Sequence, residues 1–188
     1  MRVITGSARG RRLKELEGME TRPTTDRVKE GLFSALQFDI EGRKVLDLFA
    51  GTGQLGIECL SRGAASAVFV DRRADAVKLI RENLRLTELE DRARVVAGDS
   101  MEYLKSIREP FDIIFLDPPY AVRADDVAGL IAGLEAAGSL APGALVVYEH
   151  DNTQDPLESA DFEKLGARHL SRKKYGSTIV DIFETGEQ

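Results

Sequence analysis

The sequence predicts an α/β fold built on a mostly parallel sheet, and three observations carry that expectation. From Lys44 onward short apolar runs alternate with helical patterns, several of those runs end in an aspartate, and the last two runs lie too close together for a crossover between them. Such alternation implies right-handed βαβ connections and a sheet covered by helices on both faces. A chain of 188 residues, 43% of them hydrophobic, can bury one substantial core. The expectation is a single domain over residues 1–188, with 1–40 as a basic extension.

That extension reads as a hairpin with strands at 2–5 and 11–16, then a helix over about 25–36 for which Thr24 or Thr25 is a suitable N-cap. Apolar runs predict strands at 44–48, 67–71, 93–98, 111–116 and 144–149, with helices at 55–61, 72–86 and 101–107 between them. Gly129, Gly133 and Gly138 weaken a helical pattern over 124–138. Segments 162–170 and 177–184, separated by 171–176, suit a terminal antiparallel hairpin.

The run 111–116 leads into Asp117-Pro118-Pro119-Tyr120. Proline fixes φ and has no N–H, so the strand ends abruptly and Asp117 and the Pro118 carbonyl are held as acceptors, with no backbone donor at 118 or 119. An exocyclic amine on a nucleobase presents two N–H bonds beside a flat ring, which two acceptors and the Tyr120 ring would match. The other reading of these residues is a proline turn closing a core strand.

Strand 44–48 runs into Ala50-Gly51-Thr52-Gly53-Gln54-Leu55-Gly56, a glycine-rich strand-to-helix turn. Gly51, Gly53 and Gly56 satisfy the spacing of dinucleotide binders, and Asp71 lies 20 residues after Gly51, so an NAD enzyme is one reading. Against it, Asp47 would set a carboxylate toward the pyrophosphate. A cationic, phosphate-free ligand fits better: S-adenosylmethionine offers an ammonium group for Asp47 and a ribose diol for Asp71. Asp99 would then take the adenine amino group and the Ser100 N–H the ring edge. Helix capping is the alternative role for both Asp71 and Asp99. Carboxylates at successive strand ends share the crevice where open α/β sheets bind ligands.

In this order and spacing, Asp47-Leu48-Phe49-Ala50-Gly51-Thr52-Gly53, Gly98-Asp99 and Asp117-Pro118-Pro119-Tyr120 resemble the class I S-adenosylmethionine-dependent methyltransferases that modify exocyclic amines. Gly6-Ser7-Ala8-Arg9-Gly10-Arg11-Arg12-Leu13, followed by Arg22-Pro23-Thr24-Thr25-Asp26-Arg27-Val28-Lys29-Glu30, narrows the resemblance to the RsmD family, which methylates guanine N2 in small-subunit (16S) ribosomal RNA. It spans Arg2 to about Phe183, with Gln54 and Ser7-Ala8 as small departures. The resemblance implies a Rossmann-like class I fold: a mostly parallel seven-stranded sheet with an antiparallel terminal strand, plus the small amino-terminal hairpin and helix. It further implies catalysis by Asp117, Pro118, Pro119 and Tyr120, and a cofactor site of Thr24, Asp47, Phe49, Ala50, Gly51, Gly53, Asp71, Arg72, Asp99, Ser100 and Asp117. Arg27 is also a candidate for closing over the cofactor's methionine end. Adenine-N6 methylation and a noncatalytic RNA-binding module remain as alternatives.

Charge bears on the partner. The chain carries −6 overall, yet residues 1–29 hold eight basic and four acidic side chains. A basic arm on an acidic body would draw phosphates to one edge, with Arg9, Arg11, Arg12, Arg22 and Arg27 as RNA contacts; the plainer reading is a solvated charged hairpin. Arg168, Arg172, Lys173 and Lys174 beside Tyr175 form a second basic group. Cys59 reads as a small buried apolar residue and excludes an internal disulfide. No apolar run reaches the roughly 18 residues of a membrane span. His150 and His169 lack metal-ligand spacing and read as structural. A cytoplasmic, monomeric enzyme acting on ribosomal RNA, free or in the small subunit, without a metal, is expected.

Overall fold

The computed structural model describes residues 1–16, 26–119, 122–151, 153, 155–158 and 164–186. Arg22, Pro23, Thr24, Thr25 and Tyr120, all named above, and the start of segment 162–170 lie outside the described residues. The chain forms two compact units, Met1–Ser100 and Met101–Gln188.

In the first unit, α1 (Asp26–Ala35) precedes β1 (Lys44–Asp47), α2 (Gln54–Ser61), β2 (Ser66–Asp71), α3 (Ala74–Thr87) and β3 (Ala93–Ala97). The strands lie in the order β3-β2-β1, all parallel, with Asp47 level with Phe69 and Asp71 level with Ala97. Val45, Leu46, Val68, Phe69 and Val70 are buried, as the near-continuous apolar runs of a doubly covered parallel sheet require. α2 is buried along its whole length, and Gly56 explains how it fits: a Cβ there would come within 2.3 Å of the Phe69 ring.

The amino-terminal hairpin is short: its arms pair through the antiparallel bridge Arg2–Arg12, with Val3 N donating to the Arg11 carbonyl, Gly10 N to the Val3 carbonyl and Leu13 N to the Met1 carbonyl at 3.0, 2.9 and 3.1 Å. Between the arms the chain turns its amides to α2. Ile4 N and Thr5 N donate to the two carboxylate oxygens of Glu58 at 2.8 and 3.0 Å, and Ser7 N and Ala8 N donate to the carbonyl and hydroxyl of Ser61 at 2.8 and 3.0 Å. Glu58 is fully buried and also accepts from Arg62 Nε at 2.8 Å, so its charge is compensated. Gly6, at φ +90°, is where the chain touches the helix: a Cβ would stand 1.9 Å from the Ser61 carbonyl oxygen.

The second unit begins with α4 (Ser100–Ser106, whose first residue belongs to the first unit) and continues with β4 (Phe111–Leu116), α5 (Ala124–Ala136), β5 (Leu140–Asp151), β6 (Arg168–Tyr175) and β7 (Thr178–Glu184). The strand order is β4-β5-β7-β6, with β5 parallel to β4 and β7 antiparallel to both β5 and β6. With the three strands of the first unit these make the seven expected, mostly parallel and ending antiparallel. The glycines do not break α5. Its apolar face (Val127, Leu130, Ile131, Leu134) is buried, and Gly133 leaves room for Leu104, which a Cβ would approach to 3.3 Å.

The terminal hairpin is present with different limits. Residues 171–175, expected as a loop because they are polar, continue β6, and the turn is Gly176-Ser177, with Gly176 at φ +66°. β6 is an edge strand of alternating exposure whose charged side chains suit an unpaired edge. Among the described residues no helix is long and apolar enough to cross a membrane.

Candidate active site

The glycine turn is held by carboxylates from two strand ends. Asp47, at the end of β1, is 1% exposed and accepts from Gly56 N at 3.3 Å. Asp71, ending β2, accepts Gly51 N on Oδ2 and Arg73 N on Oδ1, both at 2.9 Å. It therefore ties the turn to the start of α3, whose N-cap is Arg73, so Asp71 is not the cap of that helix. Each of its oxygens keeps a second lone pair, which suits a vicinal diol. Gly51 and Gly53 sit at φ +53° and +79°, where a side chain would strain the backbone, and Gly53 N closes the turn on the Ala50 carbonyl at 2.6 Å. Two glycines thus make the turn and the third, Gly56, makes the helix–sheet contact.

Ser100 and Asp99 differ in burial. The Ser100 hydroxyl donates to the Leu48 carbonyl and is buried, so that side chain is fixed to the chain just after β1. Asp99 is exposed, and the preceding Gly98 N donates to the Asp71 carbonyl at 3.0 Å. Phe49 is half-buried, Ala50 buried and Arg72 exposed. Cys59 is fully buried, and burial pushes its thiol well above the ordinary range.

These residues fit S-adenosylmethionine on structural grounds. The carboxylates gathered on the turn suit a cation and a diol rather than a pyrophosphate. The Gln54 Oε1, buried at the first position of α2, accepts no hydrogen bond in the described structure, and a Cβ on Gly51 would meet nothing closer than the Phe49 carbonyl at 3.9 Å. An orphaned acceptor and an open glycine on one turn are what a hydroxyl- and amine-bearing ligand would use. In the sequence alone Gln54 is only a departure from the family pattern.

In the second unit, Asp117 follows β4 directly and is half-buried; Pro118 is half-buried and Pro119 exposed. The Pro119 carbonyl accepts Val122 N at 2.8 Å, closing the turn. Burial raises the Asp117 carboxyl from an ordinary 3.8 to about 7. Nothing offsets that burial: no N–H exists at 118 or 119, and among the described residues nothing donates to this carboxyl. Pro118 and Pro119 also border a small cavity with Val122, Tyr148, Glu149 and His150.

A cluster in the same unit went unforeseen. Asp181, fully buried on β7, receives His150 Nε2 and Arg172 Nη2 on Oδ2, both at 2.8 Å, and His169 Nε2 and Arg172 Nε on Oδ1 at 2.8 and 2.9 Å. Although burial opposes ionisation, these donors prevail and hold the carboxyl well below the usual carboxylate range. Arg172 also pairs with Asp155 at 2.6 Å. Both histidines are therefore structural, as their spacing suggests. The signal was an aspartate inside the apolar run Thr178–Glu184.

The basic residues separate as well. Arg9, Arg12 and Arg27 are exposed. Arg11, by contrast, is engaged: Nη1 donates to the Leu86 carbonyl at 2.8 Å and pairs with Glu88 at 3.0 Å. In the second basic group Arg168 pairs with Glu184 and Arg172 with two aspartates, which removes both as ready phosphate contacts.

Known proteins share this architecture. The family described as "Conserved hypothetical protein 95" matches residues 1–184. The chain is 40% identical to "Putative rRNA methyltransferase YlbH" of Bacillus subtilis across 98% of each chain. It is also 40% identical to "Ribosomal RNA small subunit methyltransferase D" of Escherichia coli over 152 residues, 80% of this chain and 75% of that one. The solved structure "Putative methyltransferase yhhF from Escherichia coli" superposes with a TM-score of 0.85 at 34% identity, covering 100% of this chain and 99% of its own. A family match over nearly the whole length, joined to glycine-turn and Asp-Pro-Pro geometry at the predicted strand ends, makes this chain a member of that family, the RsmD family of methyltransferases.

Proposed function

We propose that the protein uses S-adenosylmethionine to methylate the exocyclic N2 amine of a guanine in small-subunit ribosomal RNA, acting as a cytoplasmic monomer whose two units serve one methyltransferase domain. The observation that carries the chemistry is Asp117: a strand-end carboxyl raised to about 7 and followed by two residues without an N–H. Its family and the small-subunit ribosomal RNA methyltransferase among its relatives support the substrate class.

When bound, S-adenosylmethionine supplies an electrophilic methyl carbon. Asp71 would hold the ribose hydroxyls, Asp47 and the Gln54 oxygen the amino-acid end, and Asp99 with the Ser100 N–H the adenine. The Asp117 carboxylate and the Pro118 carbonyl would accept the two hydrogens of the target amine. That amine's lone pair is delocalised into the base, and holding both hydrogens favours a more pyramidal nitrogen whose lone pair can be aimed. Positioning of this kind supplies roughly 7–11 kcal/mol in well-oriented systems. The new N–C bond would form as the methyl–sulfur bond breaks and S-adenosylhomocysteine leaves as a neutral thioether; the positively charged nitrogen is then acidic, and Asp117 or water takes its proton. Tyr120 would stack on the base after it leaves its helix or loop. Arg9, Arg12, Arg22 and Arg27 would contact phosphates, and Thr24 with Arg27 would close on the cofactor. Arg11 is assigned instead to fixing the arm on α3, because its guanidinium is already paired.

The test is incubation with methyl-tritiated S-adenosylmethionine and unmodified small-subunit RNA, free and assembled, followed by digestion to nucleosides. Label in N2-methylguanosine that disappears in Asp117→Ala supports the reading. Label in N6-methyladenosine would replace the substrate and keep the chemistry, whereas cofactor binding with no label in either would favour a noncatalytic module.

A further inference from the structure

Asn83 is a polar residue buried completely on α3, and its three hydrogen bonds join two segments that have separate jobs. Its Oδ1 accepts from Lys14 N at 2.8 Å; its Nδ2 donates to the Lys14 carbonyl at 3.1 Å and to the Thr52 carbonyl at 2.9 Å. A backbone N–H can only donate and a carbonyl can only accept, so the orientation of the carboxamide is fixed by its partners. Thr52 lies between the two left-handed glycines of the cofactor turn, and Lys14 belongs to the basic arm that carries Arg9 and Arg12.

We propose that Asn83 is a positioning residue that couples the cofactor turn to the RNA-binding arm, so that filling the turn orders the arm and the arm in turn favours a filled turn. This rests on the functional reading above. A ligand seated on the Gly51–Gly53 turn restricts Thr52, whose carbonyl holds one hydrogen of the Asn83 amide. The same amide grips both backbone groups of Lys14, leaving that residue no independent movement while the turn is fixed. A second link runs parallel to it: the Thr52 hydroxyl lies 3.6 Å from the Met1 sulfur. Lys14 with Glu82 and Arg11 with Glu88 also join the arm to the α3 side, but these are exposed ion pairs that salt screens. The Asn83 bridge starts from a fully buried side chain and reaches the turn itself. A carboxamide is the side-chain group that offers an acceptor to one amide and two donors to two carbonyls. Coupling of this kind is reciprocal, and the usual range begins at about fivefold.

The experiment measures hydrogen exchange of segment 1–16 with and without S-adenosylhomocysteine, with calorimetry confirming ligand binding to each protein. In the wild type, ligand slows exchange at Lys14 by about fivefold or more, and a small-subunit RNA hairpin binds more tightly by the same factor. Asn83→Leu keeps the volume and loses all three bonds; Asn83→Ala loses them together with the side chain's bulk, and both keep the Lys14 amide whose exchange is read. Both variants should still bind S-adenosylhomocysteine while the ligand no longer alters arm exchange. A role in stability alone would lower the melting temperature yet leave the ligand effect in place, and that result overturns the inference. Ligand binding to the wild type with unchanged arm exchange overturns it too, without touching the proposed function. Failure of the wild type to bind the ligand would sink both.

Discussion

Asp117 and Asp181 sit on the same unit, both at strands of one sheet, and their carboxyls are driven in opposite directions. Asp181 is the more deeply buried, yet it stays ionised because two histidines and an arginine donate four hydrogen bonds to it. At Asp117 burial meets no such donors, and it raises the carboxyl to about 7. Burial pushes both carboxyls the same way; the supply of donors at Asp181 reverses the outcome there. A carboxylate with every lone pair satisfied braces β5, β6 and β7 together. One flanked by prolines keeps its lone pairs for a substrate, at the expense of being harder to ionise.

The largest consequence is functional. Asp117→Ala should lower single-turnover methyl transfer by about 10²–10⁴-fold, the range for a positioned group acting in proton movement, while S-adenosylhomocysteine binding measured by calorimetry survives. Asp181→Ala should do the reverse. Removing it strands buried histidine and arginine donors and costs about 3–5 kcal/mol of stability, read as a lowered denaturation midpoint, with activity falling only as folded protein is lost. A catalytic defect in correctly folded Asp181→Ala would break the comparison.

The pH dependence sharpens it. The carboxylate is the accepting form of Asp117, so single-turnover rate should rise with pH and level off above about 7. Stability runs the other way. Because the folded carboxyl is raised from 3.8, its contribution is full below about pH 4 and is lost as pH rises through 7. Asp117→Asn should accordingly raise the melting temperature relative to wild type at pH 8 and leave it nearly unchanged at pH 4. Asp181, shifted downward, contributes stability present at neutral pH and lost only in strong acid.

The smallest effects concern the arm. Arg12→Ala should weaken RNA binding uniformly across sequences and reduce the salt slope by about one, as for a phosphate contact. Arg11→Ala should leave the slope nearly as it was, because Arg11 already pairs with Glu88.

Much of this was legible in the chain. The apolar runs located β1 to β4 within a residue or two, since a strand buried on both faces needs little besides hydrophobicity. Asp47, Asp71, Asp99 and Asp117 were visible because each punctuates such a run. The amino-terminal hairpin pairs over fewer residues than its strand signals suggest, because the amides of Ile4, Thr5 and Ala8 are satisfied by Glu58 and Ser61, more than fifty residues away, and nothing local reports that. β6 was truncated because an edge strand can be polar throughout. Asp181 and Asn83 were passed over, although a polar residue at a buried position of a strand or helix is itself a signal that partners must exist.

The comparison is tested most directly by following the carboxyl carbons of Asp117 and Asp181 by nuclear magnetic resonance in one pH titration of the wild-type protein. Asp117 should titrate near 7, and Asp181 should remain ionised down to the acid limit of the folded state. An Asp117 that titrates near 4 alongside ordinary surface aspartates would contradict the account, because its carboxyl would then be no different from the rest.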